Sequence, residues 1–109
     1  MPGRRLGPVE LRSTAAEVRH ALGTPARESR TELRFGTIDV RLASGRVVRV
    51  STTSRLYRTR EGYGVGTRVE KLQRLHGLVC NLVPGGGDCD APGIRFDFAH
   101  DHVTRVTVT

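Results

Sequence analysis

The feature that most constrains this chain is that its second half repeats the order of its first. Thr14-Ala15-Ala16-Glu17 and Thr67-Arg68-Val69-Glu70 share the Thr-x-x-Glu pattern of a capping box. The first is followed by Val18 and Leu22 and stopped by Gly23 and Pro25; the second is followed by Leu72 and Leu75 and stopped by Gly77. Each predicts a short helix, the first over residues 14–22. Two and a half turns are not stable alone, so each helix must lie on a sheet.

The sheet pattern repeats as well, at a constant offset of 56. Ile38, Val40 and Leu42 fall on Ile94, Phe96 and Phe98, and Val47-x-Arg49-Val50 falls on Val103-x-Arg105-Val106. Alternation puts Ile38, Val40 and Leu42 on one face and Asp39 and Arg41 on the other, the mark of an antiparallel sheet with one wet side. The expected architecture is therefore a single α+β domain: repeat one over residues 9–56, a joint over 57–66 and repeat two over 67–109. Each repeat is a short helix followed by an antiparallel meander, giving one curved sheet with both helices on one face.

Hairpin register follows from burial. Val48 and Val50 share the face of Leu42 and Val40 if residues 44–46 form a three-residue loop, and the same count sets Phe98 opposite Thr104 and Phe96 opposite Val106. A two-residue loop would turn Arg49 and Arg105 onto the apolar face, at a desolvation cost that argues against it. On the wet face Asp97 then meets Arg105, whereas Arg41 meets Arg49. A facing pair of like charges is unfavourable in the free protein and becomes useful when an anion lies between the two guanidinium groups.

Charge is distributed unevenly. Residues 1–60 hold 13 basic and 5 acidic side chains, a balance of +8, and residues 61–109 hold 5 and 6, a balance of −1. That asymmetry points to an anionic partner for the first half. Arg41, Arg49, Arg55, Arg58 and Arg60 are the contact candidates, with Tyr57 as an aromatic anchor. Another protein with an acidic face is the first expectation, and nucleic acid or an anionic envelope polymer the alternative. The Arg-rich half lacks the interleaved aromatics that stack bases.

Cys80 and Cys89 enclose residues 81–88, a flexible Gly-rich loop of the kind a small disulfide staple closing a hairpin would have. Two free thiols, or half of a metal site, are the competing readings, although a lone C-x₈-C matches zinc spacing poorly. A disulfide implies an oxidising compartment, hence a secreted or periplasmic protein whose signal is absent from this chain; free thiols would fit the cytoplasm. No run of 18 apolar residues predicts a transmembrane segment.

His100-Asp101-His102 invites a metal or acid–base reading, but the repeat aligns it with the hairpin tip at residues 44–46, so a turn is expected. The glycines at 62, 64 and 66 match no phosphate loop and are read as a joint. No nucleophile–base pair or carboxylate pair stands out, so neither an enzyme nor a cofactor is expected.

The run Thr14-x-x-Glu17-Val18-x-x-x-Leu22-Gly23-x-Pro25, then a meander, then Tyr57-x-Thr59-x-Glu61-Gly62-x-Gly64-Val65-Gly66-Thr67 leading into the same unit resembles the tandem repeats of the β-lactamase inhibitor protein fold. The helix-to-Leu-Gly-x-Pro signature is similar to that of small lipoproteins of outer-membrane assembly. The resemblance covers about residues 9–109. It implies a non-catalytic, inhibitor-like, exported bacterial domain that binds another protein through the exposed concave sheet, with a small disulfide inside a repeat. The chain departs from that family in having one helix per copy and few exposed aromatics.

Overall fold

A computed structural model describes residues 4–109. In chain order its elements are β1 (Arg5–Leu6), β2 (Val9–Glu10), α1 (Ala15–Leu22), β3 (Arg27–Glu28), β4 (Glu32–Arg34), β5 (Ile38–Ala43), β6 (Arg46–Thr52), α2 (Val69–Leu72), β7 (Val79–Val83), β8 (Gly86–Ala91), β9 (Ile94–Ala99) and β10 (His102–Val108). Of the described residues, 47% lie in strands and 11% in helices, so the expected α+β class is wrong and the protein is mostly β. One antiparallel sheet runs in the order β3-β4-β5-β6-β10-β9-β8-β7, and β1 with β2 forms a separate small hairpin.

The two meanders join edge to edge through β6 and β10. Val50 pairs with Val108, Ser51 with Thr107 and Thr52 with Val106, so a local two-fold axis passes through the Ser51–Thr107 pair. Around that axis β5 maps to β9 and β6 to β10 at an offset of 56, and the burial patterns of β6 and β10 are identical.

Register differs from expectation at both hairpin tips. Leu42 pairs with Val47 and Ala43 with Arg46, leaving a two-residue turn of Ser44 and Gly45 at φ 52° and 75°. Arg49 nevertheless stays opposite Arg41 on the wet face, because a bulge at Val48 absorbs one residue. Val47 is buried while Val48 is 43% exposed. The second copy does the same: Phe98 pairs with Val103, not Thr104, and Arg105 remains opposite Asp97. His100 and Asp101 form that turn, with His100 at φ 57°.

The helices explain the change of class. At α1 the capping box is complete: Glu17 N–H donates to Thr14 Oγ1 at 3.2 Å and Thr14 N–H to Glu17 Oε1 at 3.1 Å. At α2 it is not formed. The hydroxyl of Thr67 instead accepts from Gly64 N–H at 3.0 Å, inside the joint, and the helix starts after Arg68 with no side-chain cap. Without a cap α2 stops after four residues, and it contributes a single buried side chain, Leu72.

The inner face of the sheet is therefore covered by a mixed layer rather than by two helices. Leu6 and Val9 of the small hairpin, Val18 of α1, Val65 of the joint and Leu72 of α2 all belong to the core that holds Leu33, Ile38, Val40, Val50, Phe96, Val103 and Val106. Phe96 is fully buried and meets Tyr63 edge to face, with ring centroids 6.0 Å apart. Because that core is built on one side only, the opposite face of the sheet is left to solvent, and it carries the charged residues.

Candidate functional site

The outer face can be laid out from the register. One row across the sheet runs Arg27, Arg34, Asp39, Ser51, Thr107, Arg95, Asp90 and Val79. Beside it lie Glu32, Arg41 and Arg49 on the first-repeat side, and Arg105, Asp97, Asp88 and Asn81 on the second. The face is thus polarised, basic at one end and acidic at the other.

At the acidic end Arg95 sits inside three carboxylates: Asp88 at 3.0 Å, Asp90 at 3.6 Å and Asp97 at 3.8 Å. With Arg105 opposite Asp97, two guanidinium groups stand against three aspartates, which leaves this end of the face negative. At the basic end Glu32 is already committed, since it accepts a hydrogen bond from Arg34 Nε and, with the weaker field of Asp39, raises the Arg34 pKa above its ordinary value. Arg41 and Arg49 face each other across β5 and β6, both exposed and neither with a hydrogen bond or ion pair among the described residues. A shallow depression of about 150 Å³ between them is lined by Glu32, Asp39, Val40, Ser51 and the two arginines.

The other sequence candidates do not join this pair. Arg58 is spent on the joint: its Nη1 donates to the Gly62 carbonyl at 2.9 Å and reaches Thr67 Oγ1 at 3.5 Å. A Cβ at Gly64 would come within 2.8 Å of Arg58 Cγ, so the glycine makes room for that arginine. Tyr57 is half-buried against Gly7 and the core, so only part of its ring is open to contact. Arg55 is exposed and lies over Gly66.

Arg60 belongs to a second basic region. It lines a groove of about 490 Å³ with Arg4, Arg5, Glu10, Leu11, Arg12 and Thr109, in which Arg5 and Glu10 approach to 3.6 Å. Arg4, Arg5 and Arg12 are not among the contact candidates that the sequence pattern offers. Arg12 adopts φ 73°, and its N–H donates to the Val47 carbonyl. Its counterpart in the second repeat, Gly66, has φ 93° and donates to Val103 in the same way.

Cys80 and Cys89 are disulfide-bonded and directly opposite each other on β7 and β8. The stretch between them is a hairpin with a two-residue turn: Pro84 and Gly85 make the turn, while Gly86 and Gly87 belong to β8. A Cβ at Gly87 would lie 2.1 Å from the Asn81 carbonyl oxygen, so strand pairing itself requires the glycine. His102 lies 2.6 Å from Asp101, and among the described residues no three His, Cys, Asp or Glu side chains gather as metal ligands do. No helix is long and apolar enough to cross a membrane. No family model matches the chain, and neither does a curated protein or a solved structure.

Proposed function

We propose that the protein is a non-catalytic binding domain that takes the acidic surface of another protein on the Arg41–Arg49 end of its outer sheet face. The observation that carries this is the pair itself: two exposed arginines in direct cross-strand register, with Glu32, the carboxylate opposite Arg41, held by Arg34. Such a pair costs stability in the free chain and gains it when a carboxylate bridges the two forks. The resemblance to inhibitor-type repeats points the same way, toward recognition through the sheet.

The acidic end favours a protein over a uniform polyanion. Nucleic acid laid along the face would bring its phosphates against Asp88, Asp90 and Asp97. A protein partner places its carboxylates at one end only. Polyanion binding keeps one specific support, the groove of Arg4, Arg5, Arg12 and Arg60.

Capture from bacterial envelope extract separates these readings. A partner retained by the wild type and lost with the Arg41→Glu/Arg49→Glu variant supports the proposal; one retained equally by both sinks it. Tight duplex DNA binding that falls log-linearly with salt and survives that variant would favour the groove. An oxidising compartment accompanies the disulfide, and a thiol count on unreduced protein tests it: two free thiols would remove the argument for export.

A further inference from the structure

The two edges of the eight-stranded sheet are finished differently. The β3 edge is two residues long and carries Arg27 and Glu28, a short, charged strand of the kind that discourages pairing. The β7 edge is five residues long, and all five are exposed. Val79, Leu82 and Val83 show 68%, 76% and 60% of their surface, and residues 77–87 contain no charged side chain. Neither a bulge nor a proline interrupts β7, and among the described residues nothing covers it.

The ladder also fixes which backbone groups are free. The Cα atoms of Cys80 and Cys89 are 4.0 Å apart, the close spacing of a non-hydrogen-bonded pair. Val79, Asn81 and Val83 therefore direct their N–H and C=O groups toward β8, and Cys80 and Leu82 direct theirs outward. The disulfide ties this edge to β8 and holds those outward groups in line.

We infer that β7 docks antiparallel against β7 of a second copy of this chain, joining two sheets into one. The strand is self-complementary about Asn81. With the two-fold axis there, Cys80 lies opposite Leu82 of the other copy and the two exchange both backbone bonds, four in all across the axis. Val79 lies opposite Val83, and the two Leu82 side chains become diagonal neighbours. The edge carries no charged side chain of its own, the carboxylates nearest it, Asp88 and Asp90, are each paired with Arg95, and the repeat that carries the +8 balance of residues 1–60 lies at the far end of each copy, so the basic halves are held apart. Each chain has one such edge, so association closes at the dimer.

A contact this narrow is smaller than the about 1,600 Å² of a stable complex, so association is expected in the micromolar to millimolar range. The test is sedimentation velocity on the oxidised full chain from about 10 µM to about 1 mM, with exchange of the Cys80 and Leu82 amides followed by NMR. Wild type should move from monomer toward dimer, and both amides should gain protection in step.

Leu82→Pro removes only an outward N–H and should remain folded and monomeric throughout; Leu82→Lys, at an exposed position, does the same should the proline variant not fold. A wild type that stays monomeric at about 1 mM overturns the inference. So do assemblies larger than dimers, variants that associate as tightly as wild type, or a dimer that leaves the two amides unprotected.

Discussion

If Arg41 and Arg49 are kept for a partner, the free protein should become more stable when one of them is reversed. Two guanidinium groups extended side by side across a strand pair lie about 7 Å apart, and in water their repulsion is about 0.6 kcal/mol. Screening over a Debye length of about 8 Å at physiological salt reduces this to about 0.2–0.3 kcal/mol. Arg49→Glu replaces the repulsion with an attraction of similar size and sets no charge against the core, because residue 49 is on the solvent face. The net gain is about 1 kcal/mol at low salt and about 0.5 kcal/mol at physiological salt, or roughly 2–5 °C and 1–3 °C in Tm for a chain of this size. Thermal unfolding of wild type, Arg49→Glu and Arg49→Thr at low and high salt measures it. Arg49→Thr should gain about half as much, and the advantage of both should shrink as salt rises. A destabilised Arg49→Glu, or a gain indifferent to salt, would refute the idea that the pair is an unrelieved repulsion.

Further consequences concern the joints and caps. Replacing Cys80 and Cys89 by Ser should cost about 2–3 kcal/mol for so short a loop, seen as a lower urea midpoint that reductant reproduces in wild type and not in the variant. Arg12→Gly should be neutral or stabilising by up to about 1 kcal/mol, since φ 73° suits glycine, and Gly66→Ala should lose about 1 kcal/mol or more; equal effects at the two sites would contradict their equivalence. The Glu17 pKa is lowered, first by the backbone hydrogen bond from Thr14, then by the Thr14 side chain and, more weakly, by Arg46. A depressed carboxylate adds stability above its unfolded value near 4.5 and loses it as pH falls through the folded value. The stability advantage of wild type over Glu17→Gln, read from urea midpoints, should therefore be present at about pH 6 and shrink progressively as pH falls below 4.5.

How far the fold could be read depended on which signals were periodic. Ile38, Val40 and Leu42 alternate cleanly, as do Ile94, Phe96 and Phe98, so these strands and their faces were legible. Bulges were not, because Val47 and Val48 are both valine and nothing in their order marks which is the extra residue. The small hairpin escaped because two-residue strands have no period, yet Leu6 and Val9 flanking Gly7-Pro8 place two fully buried side chains in the core. The second helix was over-read because Thr67 has the spacing of a cap but is drawn into the joint by Gly64 and Arg58.

The candidate site divides the same way. The Arg41–Arg49 pairing followed from strand alternation and held even though the loop was misjudged, since the bulge restores the parity that the shorter turn would have reversed. The cluster of Asp88, Asp90 and Asp97 around Arg95 was not legible, because the Gly-rich stretch between Cys80 and Cys89 has no period to fix the register that sets Asp88 opposite Asp97 and Asp90 opposite Arg95. Tyr57 and Arg58 are contact candidates by aromatic character and charge, and the structure also engages both in the packing of the joint. Nothing in their local sequence shows that Gly7 and Gly64 approach them.

The most direct measurement is an NMR titration of the full chain with a short oligo-glutamate peptide, following the Arg Nε–H signals. The account expects shifts at Arg41 and Arg49 and at the amides of Val40 and Val50 beside them, weakened by salt and abolished in Arg41→Glu/Arg49→Glu. Shifts confined to Arg4, Arg5, Arg12 and Arg60, or no shifts at any concentration, would contradict it.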